Sequence, residues 1–93
     1  MPNFDVEIYG IPPGITSLHR VQIDLKDEPN TGSLLAGLKA MIPALAGTVI
    51  DSKTDELMEG FTLNIDGQFY RRGMNKKLAG GEHIVLLALA SGG

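Results

Sequence analysis

The stretch IVLLALA, residues 84–90, decides the fold. A strand with one wet face alternates apolar and polar side chains. This one is apolar on both alternating sets, so both of its faces need cover. It is far shorter than the roughly 18 residues of a membrane-spanning helix. A central strand meets the requirement, as does a strand whose second face meets a partner. One residue of the alternate set, Leu87 or Leu89, is expected to stay exposed. Ser91, Gly92 and Gly93 follow directly.

The segments before it supply the neighbours. Near the N-terminus, Phe4, Val6 and Ile8 alternate with Asp5, Glu7 and Tyr9, which is the period of a half-buried strand. GIPPGITS then forces a loop. HRVQIDLK alternates again, with Val21, Ile23 and Leu25 inward. Two strands joined this way pair most simply as an antiparallel hairpin. In TGSLLAGLKAMIPAL the period changes, and Leu34, Leu35, Leu38, Met41, Ile42 and Leu45 fall on one helical face. Thr31 is the expected N-cap, with Asp27 and Glu28 just upstream, where the helix dipole favours negative charge. Pro43 disfavours α geometry at Ile42, so the helix should end there. Gly37 lowers intrinsic helix stability by about 1 kcal/mol relative to alanine, so packing must hold it.

Residues 47–60 leave strand, turn and short helix all open. FTLNI, an Asp66-Gly67 turn and QFYRR read as a second hairpin. GMNKKLAGGEH is polar and rich in turn residues, and Gly80-Gly81 within it reads as a turn. The sum is an α+β chain with one main helix packed across a mixed sheet of four or five strands. The apolar last strand belongs in the middle, beside the first.

Composition narrows the function. At 93 residues there is room for one core, and a chain of this size buries roughly two-thirds of its unfolded surface. A 43% hydrophobic and 20% charged make-up is that of an ordinary globular protein. Without cysteine there is no disulfide, no thiolate metal site and no thiol nucleophile. The net charge of −3 argues against general nucleic-acid binding. MPNFDVEIYG lacks a basic segment followed by an apolar one, so a secretory signal is not expected and a cytoplasmic location is. His19 and His83 have no ligand-spaced companions, which argues against a metal site. YRRGMNKK gathers Arg71, Arg72, Lys76 and Lys77 beside Phe69 and Tyr70. It reads first as a solvated hairpin, with a docking patch for an acidic partner or an RNA contact as alternatives.

Taken together these motifs resemble the ubiquitin-like β-grasp sulfur carriers. That family includes the small subunit of molybdopterin synthase, the thiamine-pathway sulfur carrier and the archaeal small modifier proteins. TGSLLAGLKAMIPAL is similar to the family helix, which opens on threonine, carries a Leu-Leu pair and closes on Pro-Ala-Leu. FTLNIDGQ resembles its strand I-N-V-x-x-N-G, with Asp66 in place of the usual asparagine. LAGGEHIVLLALASGG parallels L-x-x-G-D-x-V-x-x-F-P-P-V-x-G-G. In that alignment Gly81 and Glu82 take the Gly-Asp turn and Leu87 the aromatic position. Ala88 and Leu89 stand where the family has paired prolines.

The resemblance implies a β-grasp domain over residues 1–89 and a flexible diglycine tail over 90–93. It implies that the Gly93 carboxylate is adenylated by an E1-like enzyme, which uses ATP and Mg²⁺, and is then converted to a thiocarboxylate. Gly92, lacking a Cβ, would let the tail lie in a narrow channel. Leu87 and Leu89 would dock the partner. No residue of the chain would be catalytic, and no cofactor or metal would be bound to it. A synthase large subunit or a thiazole synthase would receive the sulfur. Two other readings stay open: a modifier joined through Gly93 to target lysines, and a non-catalytic interaction subunit.

Overall fold

The computed structural model describes residues 3–70 and 73–89. Strand β1 (Asn3–Tyr9) sends Phe4, Val6 and Ile8 into the core, as its alternation requires. Strand β2 (Arg20–Asp24) pairs with it antiparallel, Val6 opposite Val21 and Glu7 opposite Arg20. The loop between them closes with the Ile8 N–H donating to the His19 carbonyl at 2.8 Å.

Helix α1 (Thr31–Met41) is capped one residue earlier than the sequence suggests. Asn30, not Thr31, is the N-cap. Its Oδ1 accepts from the Ser33 N–H at 2.8 Å, and Ser33 Oγ accepts from the Asn30 N–H at 3.0 Å. Asparagine ranks above threonine in this role. Thr31 is instead fully buried, with Oγ1 accepting from the Lys76 N–H at 3.0 Å and donating toward the Met74 carbonyl at 3.3 Å. That hydroxyl ties residues 74–76 to the start of the helix.

Leu34, Leu35 and Leu38 are buried as expected, but Met41 is exposed. Met41 is the last helical residue. At this end the buried positions fall to Ile42 and Leu45, where the chain leaves α geometry for a short 3-10 turn, Pro43–Leu45. Gly37 has a packing reason: a Cβ there would lie 3.0 Å from Ile23 Cγ2, so the glycine lets α1 approach β2 closely.

Residues 47–60 form neither a helix nor a full strand. Isolated bridges join Ala46 to Ile50 and Ile50 to Leu57, and Val49, Ile50 and Leu57 are buried. The Asp51 carboxylate accepts from the Lys53 and Thr54 N–H groups at 2.8 and 2.9 Å, closing a local turn. The second hairpin follows as β3 (Phe61–Ile65) and a short β4 (Gln68–Phe69). Asp66 and Gly67 between them both have positive φ, 51° and 88°, which matches the twist of a tight hairpin.

Strand β5 (Ile84–Ala88) lies in the centre, parallel to β1 and antiparallel to β3. The sheet order is β2-β1-β5-β3-β4. One face of this five-stranded mixed sheet, with Leu63, Ile65, Ile84 and Leu86, joins the α1 leucines in a single core. This is the ubiquitin-like β-grasp arrangement. Among the described residues no helix is long and apolar enough to cross a membrane.

Candidate docking surface

The central strand has two unequal faces. Ile84 and Leu86 are fully buried, whereas Val85 and Leu87 point the other way and are half-buried. Register decides what surrounds them. Val85 lies between Glu7 and Asn64, and Leu87 lies between Tyr9 and Thr62. Tyr9 is 59% exposed, so an aromatic ring and a half-open leucine stand side by side across the β1–β5 ladder.

Beyond the strand end, the Leu89 N–H donates to the Gly60 carbonyl at 2.7 Å, and the Leu89 side chain is half exposed. It borders a shallow depression of about 250 Å³ whose walls include Leu57, Phe61, Thr62 and Tyr70. Thr62, the ladder partner of Leu87, thus also lines the depression beside Leu89. Both leucines expected to dock a partner lie on or next to one partly apolar surface. Gly92 and Gly93, with the rest of the tail from residue 90, lie outside the described residues.

Charged groups frame this surface on the β2 side. Arg20 Nη2 donates to Glu7 Oε1 at 3.0 Å, and Arg20 Nε lies 3.4 Å from Asp5 Oδ1. The Arg20 guanidinium, and after it the Tyr9 hydroxyl, hold the Glu7 carboxyl below its ordinary range. The same hydrogen bond to Glu7 raises the Tyr9 phenol. His83 Nε2 stands 3.9 Å from Glu7 Oε1. Exposed pairs of this kind add little stability. No group of three or more His, Asp or Glu side chains suited to a metal occurs among the described residues.

The turn that launches β5 is held by Glu82. Its two carboxylate oxygens accept from the Ala79 and Gly80 N–H groups, each at 2.7 Å. Gly80 and Gly81 both have positive φ, 109° and 86°, as the tight turn demands. Asp66 pins the same point from the hairpin side, accepting from the His83 N–H at 2.8 Å.

Burial pushes the Glu82 carboxyl up, but the N–H groups of Ala79, Gly80 and Glu82 itself outweigh it, and the net shift is downward. A depressed carboxyl binds its proton more readily in the unfolded chain. Its stabilisation is therefore complete above the ordinary value of 4.5 and is lost as pH falls through the lower folded value. Urea midpoints are expected to fall as the pH drops from 4.5 toward that lower value. In Glu82→Gln the fall should be shallower, because the variant has no charge there to lose. An identical slope in wild type and variant would show that Glu82 does not couple to folding.

Sequence reasoning missed Tyr9, which reads as an ordinary member of a wet strand face. Its importance comes from parallel pairing with β5, and no local pattern encodes that register.

No protein-family model matches the sequence, and no curated protein does. Solved structures do match. The crystal structure of SAMP1 from Haloferax volcanii has a TM-score of 0.79 at 21% identity, over 98% of this chain and 99% of that one. A crystal structure of H. volcanii small archaeal modifier protein 1 gives 0.79 at 18% identity, over 97% and 100%. The solution structure of the Haloferax volcanii HVO 2177 protein gives 0.68 at 19%, over 99% and 89%. At such identities the likeness establishes the ubiquitin-like β-grasp fold along nearly the whole chain.

Proposed function

We propose, with this β-grasp fold as the premise, that the chain is a sulfur carrier activated at Gly93 by an E1-like partner enzyme. The observation that supports it best is the half-open outer face of β5. Leu87 and its neighbour Tyr9 offer a docking strip on the strand that leads directly into the Ser-Gly-Gly tail.

An ionised C-terminal carboxylate, with a pKa near 3.5, is a poor electrophile. Activation makes it reactive: a carboxylate oxygen attacks the α-phosphorus of ATP held with Mg²⁺ on the partner, and pyrophosphate leaves. A hydrosulfide equivalent then attacks the acyl carbon. AMP departs and, with loss of the sulfur's proton, a thiocarboxylate remains. The sulfur would pass to a synthase large subunit or a thiazole synthase. The chain is a co-substrate throughout, since it supplies the acyl carbon and the docking surface and performs no catalysis.

A second reading is favoured by one observation, that a structural neighbour is described as a small archaeal modifier protein. In it a lysine amine attacks the activated carbon and an amide joins Gly93 to a target. Reconstitution with an adenylating enzyme, ATP, Mg²⁺ and a sulfur donor tests both. Exchange of oxygen for sulfur confined to the C-terminal peptide supports the carrier, and Gly93–lysine amides support the modifier. If neither forms, both readings fail.

Docking gives a separate expectation. Leu87→Glu should weaken binding to the activating enzyme by about 2 kcal/mol or more, the loss typical of a partly buried anchor. The thermal midpoint should change little, because the Leu87 side chain already borders solvent. Calorimetric titration together with a melting curve checks this. Unchanged affinity would move the docking surface elsewhere.

A further inference from the structure

We infer that the β4 edge of the sheet is a second docking surface, which takes an acidic peptide segment with an apolar centre from a partner protein. Three independent features of the molecule converge there.

The first is charge. Lys76 and Lys77 stand in a run, residues 67 to 81, that holds no aspartate or glutamate. In a chain of net charge −3 this is a local reversal of sign along the sequence. In space the Glu56 carboxylate reaches the segment, accepting from the Tyr70 hydroxyl at 3.2 Å and the Gly73 N–H at 2.9 Å. Lys76 and Lys77 are exposed and take part in no ion pair among the described residues.

Apolar exposure is the second. Phe69 is 63% and Met74 55% exposed, and with Ile65, Gln68, Tyr70 and Lys76 they line a groove of about 90 Å³. That volume suits one aliphatic side chain.

The third is the backbone. Gln68 pairs with Ile65, Phe69 with Asn64, and the Tyr70 N–H donates to the Leu63 carbonyl at 2.8 Å. Hydrogen-bonded and non-bonded pairs alternate in an antiparallel ladder. With Gln68 and Tyr70 turned toward β3, the N–H and C=O of Phe69 face the open edge. Nothing follows β4 in the sheet order. An incoming extended segment can pair with Phe69, seat an apolar side chain in the groove and meet the lysines with its acids.

This surface meets the depression beside Leu89 at Tyr70, which lines both, but its centre lies at the other end of the sheet. Phe69 is aligned with Asn64 and Val85, whereas the chain leaves β5 past Ala88, opposite Phe61 at the other end of β3. A partner paired at Phe69 therefore leaves the Ala88 end of β5 uncovered. RNA is a poorer fit: the groove has one largely exposed aromatic ring, and the backbone edge offers strand pairing that a nucleic acid cannot use.

The test uses the full chain and a fluorescein-labelled peptide in which aspartates flank Val-Ile-Val. A lysine-flanked version and a single-stranded oligouridylate serve as competing probes. The aspartate peptide is expected to bind and to shift the backbone amide NMR signals of Phe69, Met74, Lys76 and Lys77. The double variant Lys76→Glu/Lys77→Glu should weaken binding by about tenfold or more, whereas Lys26→Glu/Lys53→Glu, with the same change in net charge, should stay within about twofold. Phe69→Ser should weaken binding as well, with all variants checked for an unchanged melting curve. Absence of binding at millimolar peptide, equal losses in both double variants, or amide shifts confined to other strands would overturn the inference. Tighter binding of the oligouridylate than of the aspartate peptide would overturn it in favour of RNA.

Discussion

Gly93→Trp is expected to abolish adenylate formation by the activating enzyme, with a loss of at least about a hundredfold, while the melting curve stays in place. The proposed reaction puts the acyl carbon on residue 93 and asks it to reach a phosphorus atom inside another protein's site. A misplacement of about 1 Å at a reacting centre is enough for a hundredfold loss, and an indole beside the carboxylate displaces it by more. Glycine has no Cβ, so enzyme backbone can approach the tail closely. Adding one residue after Gly93 should have the same effect. Stability should not change, because β5 completes its ladders to β1 and β3 within residues 84–88 and the core residues all lie before residue 87. Undiminished adenylation of Gly93→Trp would remove the reacting carbon from residue 93. A lowered melting point would mean that the tail belongs to the domain.

Leu86→Ala is expected to have the opposite profile, with a large loss of stability. Leu86 is fully buried in the central strand, paired with Ile8 on one side and Leu63 on the other. Truncating a leucine in such a place costs about 3 kcal/mol, part lost transfer energy and part cavity. Domains of this size have about 5–15 kcal/mol in total, so the variant should still fold but unfold at a much lower urea concentration, with an unchanged slope. Leu87→Ala, one residue on, should cost far less because that side chain is already half in water. The contrast between these adjacent leucines tests the assignment of the two strand faces. Similar losses at both positions would mean that the outer face of β5 is core.

Much of this architecture was legible because its signals are local. Period-two alternation marked β1 and β2, and Asp66-Gly67 marked the second hairpin through its demand for positive φ. The doubly apolar run of residues 84–90 placed the last strand in the centre. Where long-range contacts decide, the sequence was silent or misleading. Thr31 looks like a helix cap, yet it is buried because the segment at Met74–Lys76 needs its hydroxyl, and Asn30 caps instead. Met41 has the right spacing for the core but stands at the end of the helix. Residues 47–60 carry no period, since their order comes from isolated bridges and from Val49, Ile50 and Leu57 meeting the core. Within the candidate surface, Leu87 and Leu89 could be named from the strand pattern alone. Tyr9 could not, because only the parallel register brings it beside Leu87. The tail that would carry the chemistry was read from its residues and from family resemblance.

Sulfur carried on Gly93, as we propose, is seen most directly in the intact mass of the protein purified from its native host under conditions that preserve acyl-sulfur bonds. A population is expected in which one oxygen is replaced by sulfur, with the change confined to the C-terminal peptide and absent from a host lacking the activating enzyme. A chain found only with an unmodified carboxylate, or only in amide linkage to lysines of other proteins, would contradict the proposal.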